Sequence, residues 1–201
     1  MTITAASSPR PVIADRLASR GVATDVALVL GGVAVVSALA QVQVPLWPVP
    51  VTGQTLGVML VGASLGARRG ALSLATYLVL GVAGLPIFSE FSGGPLSVLK
   101  PSFGFVIGFV AAAAVIGWLS EREWDERWGR SAVAFFLASL IPFAFGLPYL
   151  AVVLGSLGLP NDLPSVLAAG LYPFVVGGIA KWLIAAAALP LAWRALKGRD
   201  A

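Results

Sequence analysis

The 201-residue chain contains no cysteine and no histidine. Without cysteine there is no disulfide framework and no indication of redox compartment. Without histidine the commonest general base and the commonest transition-metal ligand are both missing. Charge is scarce as well. Only 11% of residues are Asp, Glu, Lys or Arg, where a soluble domain carries about a quarter. No G-x-x-x-x-G-K-[ST] sequence is present, which excludes ATP hydrolysis by a phosphate-cradling loop. There is no G-x-S-x-G elbow and no closely spaced pair of carboxylates within an apolar run, so a hydrolase or a carboxylate proton relay has little support. No catalytic residue, metal site or cofactor is expected, and the chain is not read as an enzyme.

What remains is apolar. Hydrophobic residues make up 58% of the chain and its mean hydropathy is +0.93. That leaves too little polar surface for water, so lipid is the expected solvent. A helix needs roughly 20 apolar residues to cross a hydrocarbon core about 30 Å thick. Six apolar segments qualify or nearly so, at 26–46, 51–67, 71–88, 102–119, 131–154 and 165–193. In lipid the backbone must satisfy its own hydrogen bonds, and no ten-residue alternating pattern repeats, so these are helices and not barrel strands. The expected fold is all-α: a polytopic membrane protein with six transmembrane helices. It divides into a polar tail (1–25), a membrane domain (26–193) and a second short tail (194–201). The stretch 16–41 has arginines, an apolar core and an Ala38-Leu39-Ala40 ending, like a cleavable signal peptide. Its long polar lead and its stripe of small residues favour a retained helix.

Basic residues set the orientation. Arg10, Arg16 and Arg20 precede the first helix, Arg68 and Arg69 join the second to the third, Arg122, Arg127 and Arg130 join the fourth to the fifth, and Arg194, Lys197 and Arg199 follow the sixth. Of the thirteen basic residues only Lys100 falls in an opposite loop and only Lys181 within a helix. The positive-inside rule then makes both termini cytoplasmic and the location a multi-pass prokaryotic cell membrane. The net charge of +4 reflects this bias. Because no basic stripe carries interleaved aromatics, nucleic acid is not an expected partner. The loop "SEREWDERWGR" (120–130) alternates acids and arginines around two tryptophans and reads as a solvated loop with interfacial anchors.

Three features carry chemistry. The first helix aligns Ala27, Gly31, Ala34 and Ala38 on one face. Small side chains let helices approach closely where lipid supplies no hydrophobic drive, either within the chain or against a separate membrane protein. Further glycines, Gly53, Gly57, Gly62 and Gly66 on the second helix and Gly104 with Gly108 on the fourth, read as internal packing. Second, "QVQVPLWPVPVTGQTLG" (41–57) sets Gln41, Gln43, Thr52, Gln54 and Thr55 around three prolines. The prolines end the first helix near Val44. The uncharged amides are glue between helices or ligands for a polar group, and Gln54 is favoured for a ligand. Third, Lys181 lies within the last apolar run with no carboxylate one turn away on its own helix. At that depth an ionisable group costs at least ~2.5 kcal/mol unless paired or hydrated. It is expected to face a cavity and meet an anion, either Glu90 or the carboxylate of a substrate. The segment "LPIFSEFSGGPLSVLKPSFG" (85–104) is too polar to span and too apolar to be an ordinary linker. It reads as an irregular connection covering a pocket, where non-helical backbone is tolerated.

The stretch "PVPVTGQTLGVMLVGASLGARRGALSLATYLVLGVAGLPIF", followed by "SGG" and a Pro-Ser-x-Gly-Phe helix start, resembles the biotin transporter family BioY, the substrate-binding S components of energy-coupling factor importers. The resemblance runs from about Ala34 to Lys181. It implies a six-helix membrane protein that captures biotin at its outer face and works with a transmembrane coupling subunit and two ATPases, which accords with the missing nucleotide motif. It also implies docking of the coupling subunit on the small-residue stripe, here Ala34 and Ala38 with Ala27 and Gly31. The candidate substrate-binding residues are Gln54, Tyr77, Glu90, Ser92, Gly93, Gly94, Ser102 and Lys181. Two departures stand out. Lys100-Pro101-Ser102-Phe103-Gly104-Phe105 replaces the usual Gly-Pro-Thr-x-Gly-Tyr, and Gly177-Gly178-Ile179-Ala180-Lys181 keeps the lysine of Gly-Asp-x-x-Lys but lacks its acid. Biotin would present a neutral ureido ring to amides and hydroxyls, an apolar ring to Val, Leu and Phe walls, and a carboxylate to a cation such as Lys181 or Lys100. Import of another small vitamin, or a scaffold subunit without a ligand, are the alternative readings.

Overall fold

The computed structural model describes residues 11–197 apart from 18 and 20, without the side chain of Lys197. Arg10, Arg20 and Arg199 of the orientation argument, most of the first tail and the end of the second lie outside the described residues. The chain is helical: α1 (Ile13–Leu17), α2 (Val22–Ala40), α3 (Gln54–Val82), α4 (Phe103–Ser120), α5 (Trp128–Ser156), α6 (Leu163–Gly170) and α7 (Tyr172–Lys197). Among the described residues four helices are long and apolar enough to cross a membrane: α2, α4, α5 and residues Tyr172–Leu196 of α7. Large apolar side chains such as Leu30, Phe136, Leu140, Val176 and Leu183 project from them unburied, as a lipid-facing surface requires.

The second and third expected helices are legs of one element. α3 breaks at Gly66, whose φ of 85° and ψ of 175° are not helical; a side chain at this φ would be strained. The legs fold back on each other, since a Cβ on Gly70 would stand 2.9 Å from the Cα of Gly62. At about 1.5 Å per residue, residues 54–65 rise only about 18 Å and 67–82 about 24 Å, short of the ~30 Å hydrocarbon core. Glu121 at the end of α4 accepts the backbone N–H of Ala67 at 2.8 Å. Its carboxylate thus caps the freed start of the second leg, where the helix dipole favours negative charge. Arg69 donates to Asp15 at 2.7 Å and Asp25 at 2.8 Å, tying α1 and α2 to the same corner. Gly117 presses on the backbone of Gly66 and Ala67, and Gly57, Gly104 and Gly108 meet Val36, Phe145 and Pro142, so these glycines serve internal packing.

Two further expectations change. α2 stops at Ala40 and not near Val44, because Gln43–Val44 pairs antiparallel with Val51–Thr52. This hairpin (β1, β2) spans the three prolines, and the N–H of Gly53 returns to the carbonyl of Val42 at 2.7 Å. The loop between α4 and α5 is not purely solvated. Asp125 is 1% exposed and accepts Trp193 Nε1 of α7 at 2.7 Å. Burial pushes its carboxyl up to about 6. Arg122 does keep an interfacial arrangement, with its guanidinium 3.7 Å from the centre of the Trp118 ring.

The interior forms two clusters. One, rich in aromatics, gathers Tyr77, Phe88, Phe103, Phe105, Phe109 and Leu150. The other gathers small residues, Ala63, Ala134, Ala138, Ala185 and Ala186, around Ile116, Phe135 and Trp193. The corner where Arg69 pairs with Asp15 and Asp25, together with Glu121 and Asp125, belongs to the second end.

Candidate functional site

A cavity opens at the aromatic end, bounded by the β-hairpin, the start of α3, the loop 88–102, α4, α5 and α7. Its walls have three characters. One is polar and formed by Thr52, Gln54, Thr55 and Lys181; one is phenyl, formed by Phe105, Phe143 and Phe174; one is the loop, with Ser92, Ser97, Lys100 and Ser102.

The polar wall is held rigidly. β2 ends in Thr52 and α3 begins two residues later, so the Thr52 hydroxyl donates to Gln54 Oε1 at 2.8 Å and accepts the Gln54 N–H at 3.3 Å. Gln54 Nε2 donates to the Tyr77 hydroxyl at 2.6 Å, and Tyr77 donates on to the carbonyl of Ile87 at 3.1 Å. A buried amide with both ends anchored keeps one N–H and one lone pair in a fixed direction. Lys181 reaches from α7 to the carbonyl of Thr52 at 2.6 Å and the hydroxyl of Thr55 at 3.0 Å. Both acceptors are neutral. An ammonium carries three hydrogens, so these contacts leave one for a ligand acceptor.

The phenyl wall is a box. Phe105 stacks on Phe174 with centroids 6.0 Å apart, and Phe143 meets Phe105 at 5.7 Å and Phe174 at 5.9 Å, both edge-to-face. Phe105 stands where the resembling family carries tyrosine, so this wall offers shape and no hydroxyl.

The loop wall is pinned from outside. Gln41, just past α2, donates to the carbonyls of Ser37 at 3.1 Å and Phe88 at 3.0 Å and accepts the N–H of Phe91 at 3.0 Å. The Tyr149 hydroxyl donates to the carbonyl of Val98. Ser97 is 3% exposed, and its hydroxyl has no partner among the described residues. Such a group is costly to bury unmatched, by about 1–3 kcal/mol, and its residue belongs to the cavity lining.

Of the sequence candidates, Gln54, Ser92, Ser102 and Lys181 line this cavity. Tyr77 stands behind Gln54, with its ring edge-to-face on Phe88 at 5.2 Å; it orients the wall and is not part of it. Glu90 is exposed at φ 61° and makes no pair with Lys181, so the expected Glu90–Lys181 contact is corrected to the Thr52 and Thr55 oxygens. Gly93 and Gly94 serve the loop and not the cavity. The Gly94 N–H donates to Gly81 at 2.7 Å, and a Cβ on Gly93 would collide with the carbonyl of Leu85. Gln41, open to both readings in the sequence, is glue. Ser97 and the phenyl box were not singled out from the sequence. Ser97 sits in an apolar "PLSVL", and the phenylalanines come from three helices whose register only the fold supplies. The stripe Ala27, Gly31, Ala34 and Ala38 is exposed along α2, with nothing within 4 Å of a Cβ on Gly31.

Comparison with known proteins gives consistent matches. The family model described as "BioY family" matches residues 9–198. A protein of Rhizobium etli named biotin transporter BioY is 40% identical over 148 residues, covering 69% of this chain and 75% of that one. A Thermotoga maritima protein of the same name is 35% identical over 147 residues, covering 73% and 82%. Among solved structures, the S-component for biotin from an ECF-type ABC transporter superposes with a TM-score of 0.71 at 22% identity, over 88% of this chain and 95% of that one. The fold is therefore that of an S component.

Proposed function

The chain belongs to the BioY family, and on that premise we propose that it is the biotin-binding S component of an energy-coupling factor importer. The observation that carries this reading is the cavity. A fixed amide and a lysine with one hydrogen to spare line a space otherwise walled largely by phenyl rings. A neutral ureido ring, an apolar fused ring, an alkyl chain and a carboxylate match that sequence of surfaces. Lipid-facing helices and a mainly apolar cavity with a few fixed polar groups also suit a subunit that captures and holds its ligand and leaves ATP hydrolysis to others.

The finer topology follows the same reading. Contacts alternate between the two ends: Arg69 with Asp15 and Asp25, Glu121 with Ala67 and Asp125 with Trp193 at one, Gln41 with Phe88 and Lys181 with Thr52 at the other. α2, the two legs of α3, α4, α5 and α6 with α7 thus make six legs. Arg68, Arg69, Arg122, Arg127 and Arg130 fall at the end away from the cavity, so the positive-inside rule puts the cavity outside and both termini in the cytoplasm of a prokaryotic cell. The exposed stripe on α2 is the docking face for a transmembrane coupling subunit, which links to ATPase subunits.

Equilibrium binding of labelled biotin to the purified chain tests the proposal. Saturable one-to-one binding at micromolar ligand or below, unaffected by thiamine or riboflavin, is expected. Absence of saturable binding at that concentration would refute it.

A further inference from the structure

The charge of the cavity is one-sided. Among the described residues its walls carry two lysines and no aspartate or glutamate. Gly178, one turn before Lys181 on α7, contributes no carboxylate, although a Cβ there would meet nothing within 4 Å.

The two cations differ in setting. Lys181 is half-buried and already donates to Thr52 and Thr55. Lys100 is exposed at the rim, and its ammonium makes no hydrogen bond or ion pair among the described residues. Its backbone is nevertheless fixed. The Lys100 N–H donates to Ser97 at 3.2 Å and its carbonyl accepts the N–H of Phe103 at 3.0 Å. The buried, unpartnered hydroxyl of Ser97 lines the same wall. A carboxylate loses much hydration if driven against the polar wall, whereas at the rim it keeps part of it and gains a cation. A neutral ureido group suffers no such penalty beside Gln54 and Lys181.

We infer that Lys100 is a specificity-determining residue that reads the ionised carboxylate of the ligand at the rim, so that the cavity selects the free acid over neutral derivatives. The inference rests on the biotin reading above and adds which end of the molecule lies at the rim.

The test compares biotin with biotinamide, which keeps the rings and chain but loses the charge, on the purified full chain. The wild type is expected to prefer biotin by about tenfold at low salt, with the preference shrinking as ionic strength rises. Lys100→Gln should weaken biotin by that factor and leave biotinamide unchanged, Lys100→Arg should retain the preference, and Lys100→Glu should invert it. Equal losses for both ligands in Lys100→Gln, or no loss for biotin, would overturn the role of Lys100 while leaving biotin binding intact. A wild type that binds neither ligand would remove the biotin reading and this inference with it.

Discussion

At the cavity end, Gln54, Tyr77 and Thr52 bond one another in the interior, Lys181 reaches two neutral oxygens, and the Ser97 hydroxyl is left unmatched. At the opposite end, helices touch through Gly62, Gly70 and Gly117, Arg69 pairs with Asp15 and Asp25, and Glu121 caps Ala67, although the Ser120 hydroxyl and one oxygen of Asp125 are buried unmatched there too. Close packing is spent on stability at the second end. At the first, polar groups are held in fixed directions with donors to spare, an arrangement that is expensive without a ligand and favourable with one. The proposed binding site and a structural anchor thus share the same helices while obeying different rules.

The contrast can be broken most sharply at Lys181. Lys181→Ala should weaken biotin by roughly 10- to 100-fold, the range for a hydrogen bond to a charged group, as read by isothermal titration; unchanged affinity would put the lysine among the structural groups. At the packed end, Gly62→Ala would set a Cβ 2.7 Å from the Ala113 carbonyl and against Ile116. It should lower stability by about 1–3 kcal/mol in a thermal or denaturant melt, with biotin affinity of the folded protein unaltered. Ser97→Ala sharpens the comparison differently. It should weaken biotin about fivefold and at the same time raise the ligand-free melting temperature, because a buried unmatched hydroxyl is removed. A serine that mattered only for packing would not give opposite signs.

The smallest effect concerns pH. Asp125 has its carboxyl raised by burial to about 6 from 3.8, so the folded state binds more protons than the unfolded state between these values. Its contribution to stability is present below the lower value and lost as pH rises through the higher. Asp125→Asn keeps an acceptor for Trp193 and should flatten that part of the stability profile between about pH 4 and 6. Identical slopes in the two proteins would show that another group titrates there.

Much of the helical order was legible in apolar run length alone, since lipid leaves the backbone little choice. The boundaries that moved did so for local reasons. Three prolines made a hairpin where an extended helix end was expected, and a single glycine with positive φ turned two helices into legs of one element. That Gln54 and Lys181 line the cavity was legible because polar groups within apolar runs are costly enough to require partners. Ser97 was not, because one hydroxyl in a short loop looks the same whether matched or unmatched until its neighbours are known. Glu90 misled because charge complementarity with Lys181 says nothing of direction; its left-handed backbone carries the side chain to the surface.

Gln41 joins the end of α2 to the loop over the cavity by two hydrogen bonds, to Phe88 and from Phe91. The loop cannot swing outward without breaking both or dragging the helix end along. α2 is also the helix that exposes the small-residue stripe. The loop over the cavity and the helix carrying the stripe therefore form one mechanical unit. By linkage, whatever free energy a partner gains from holding α2 in one position is returned as a change in affinity for the ligand under the loop.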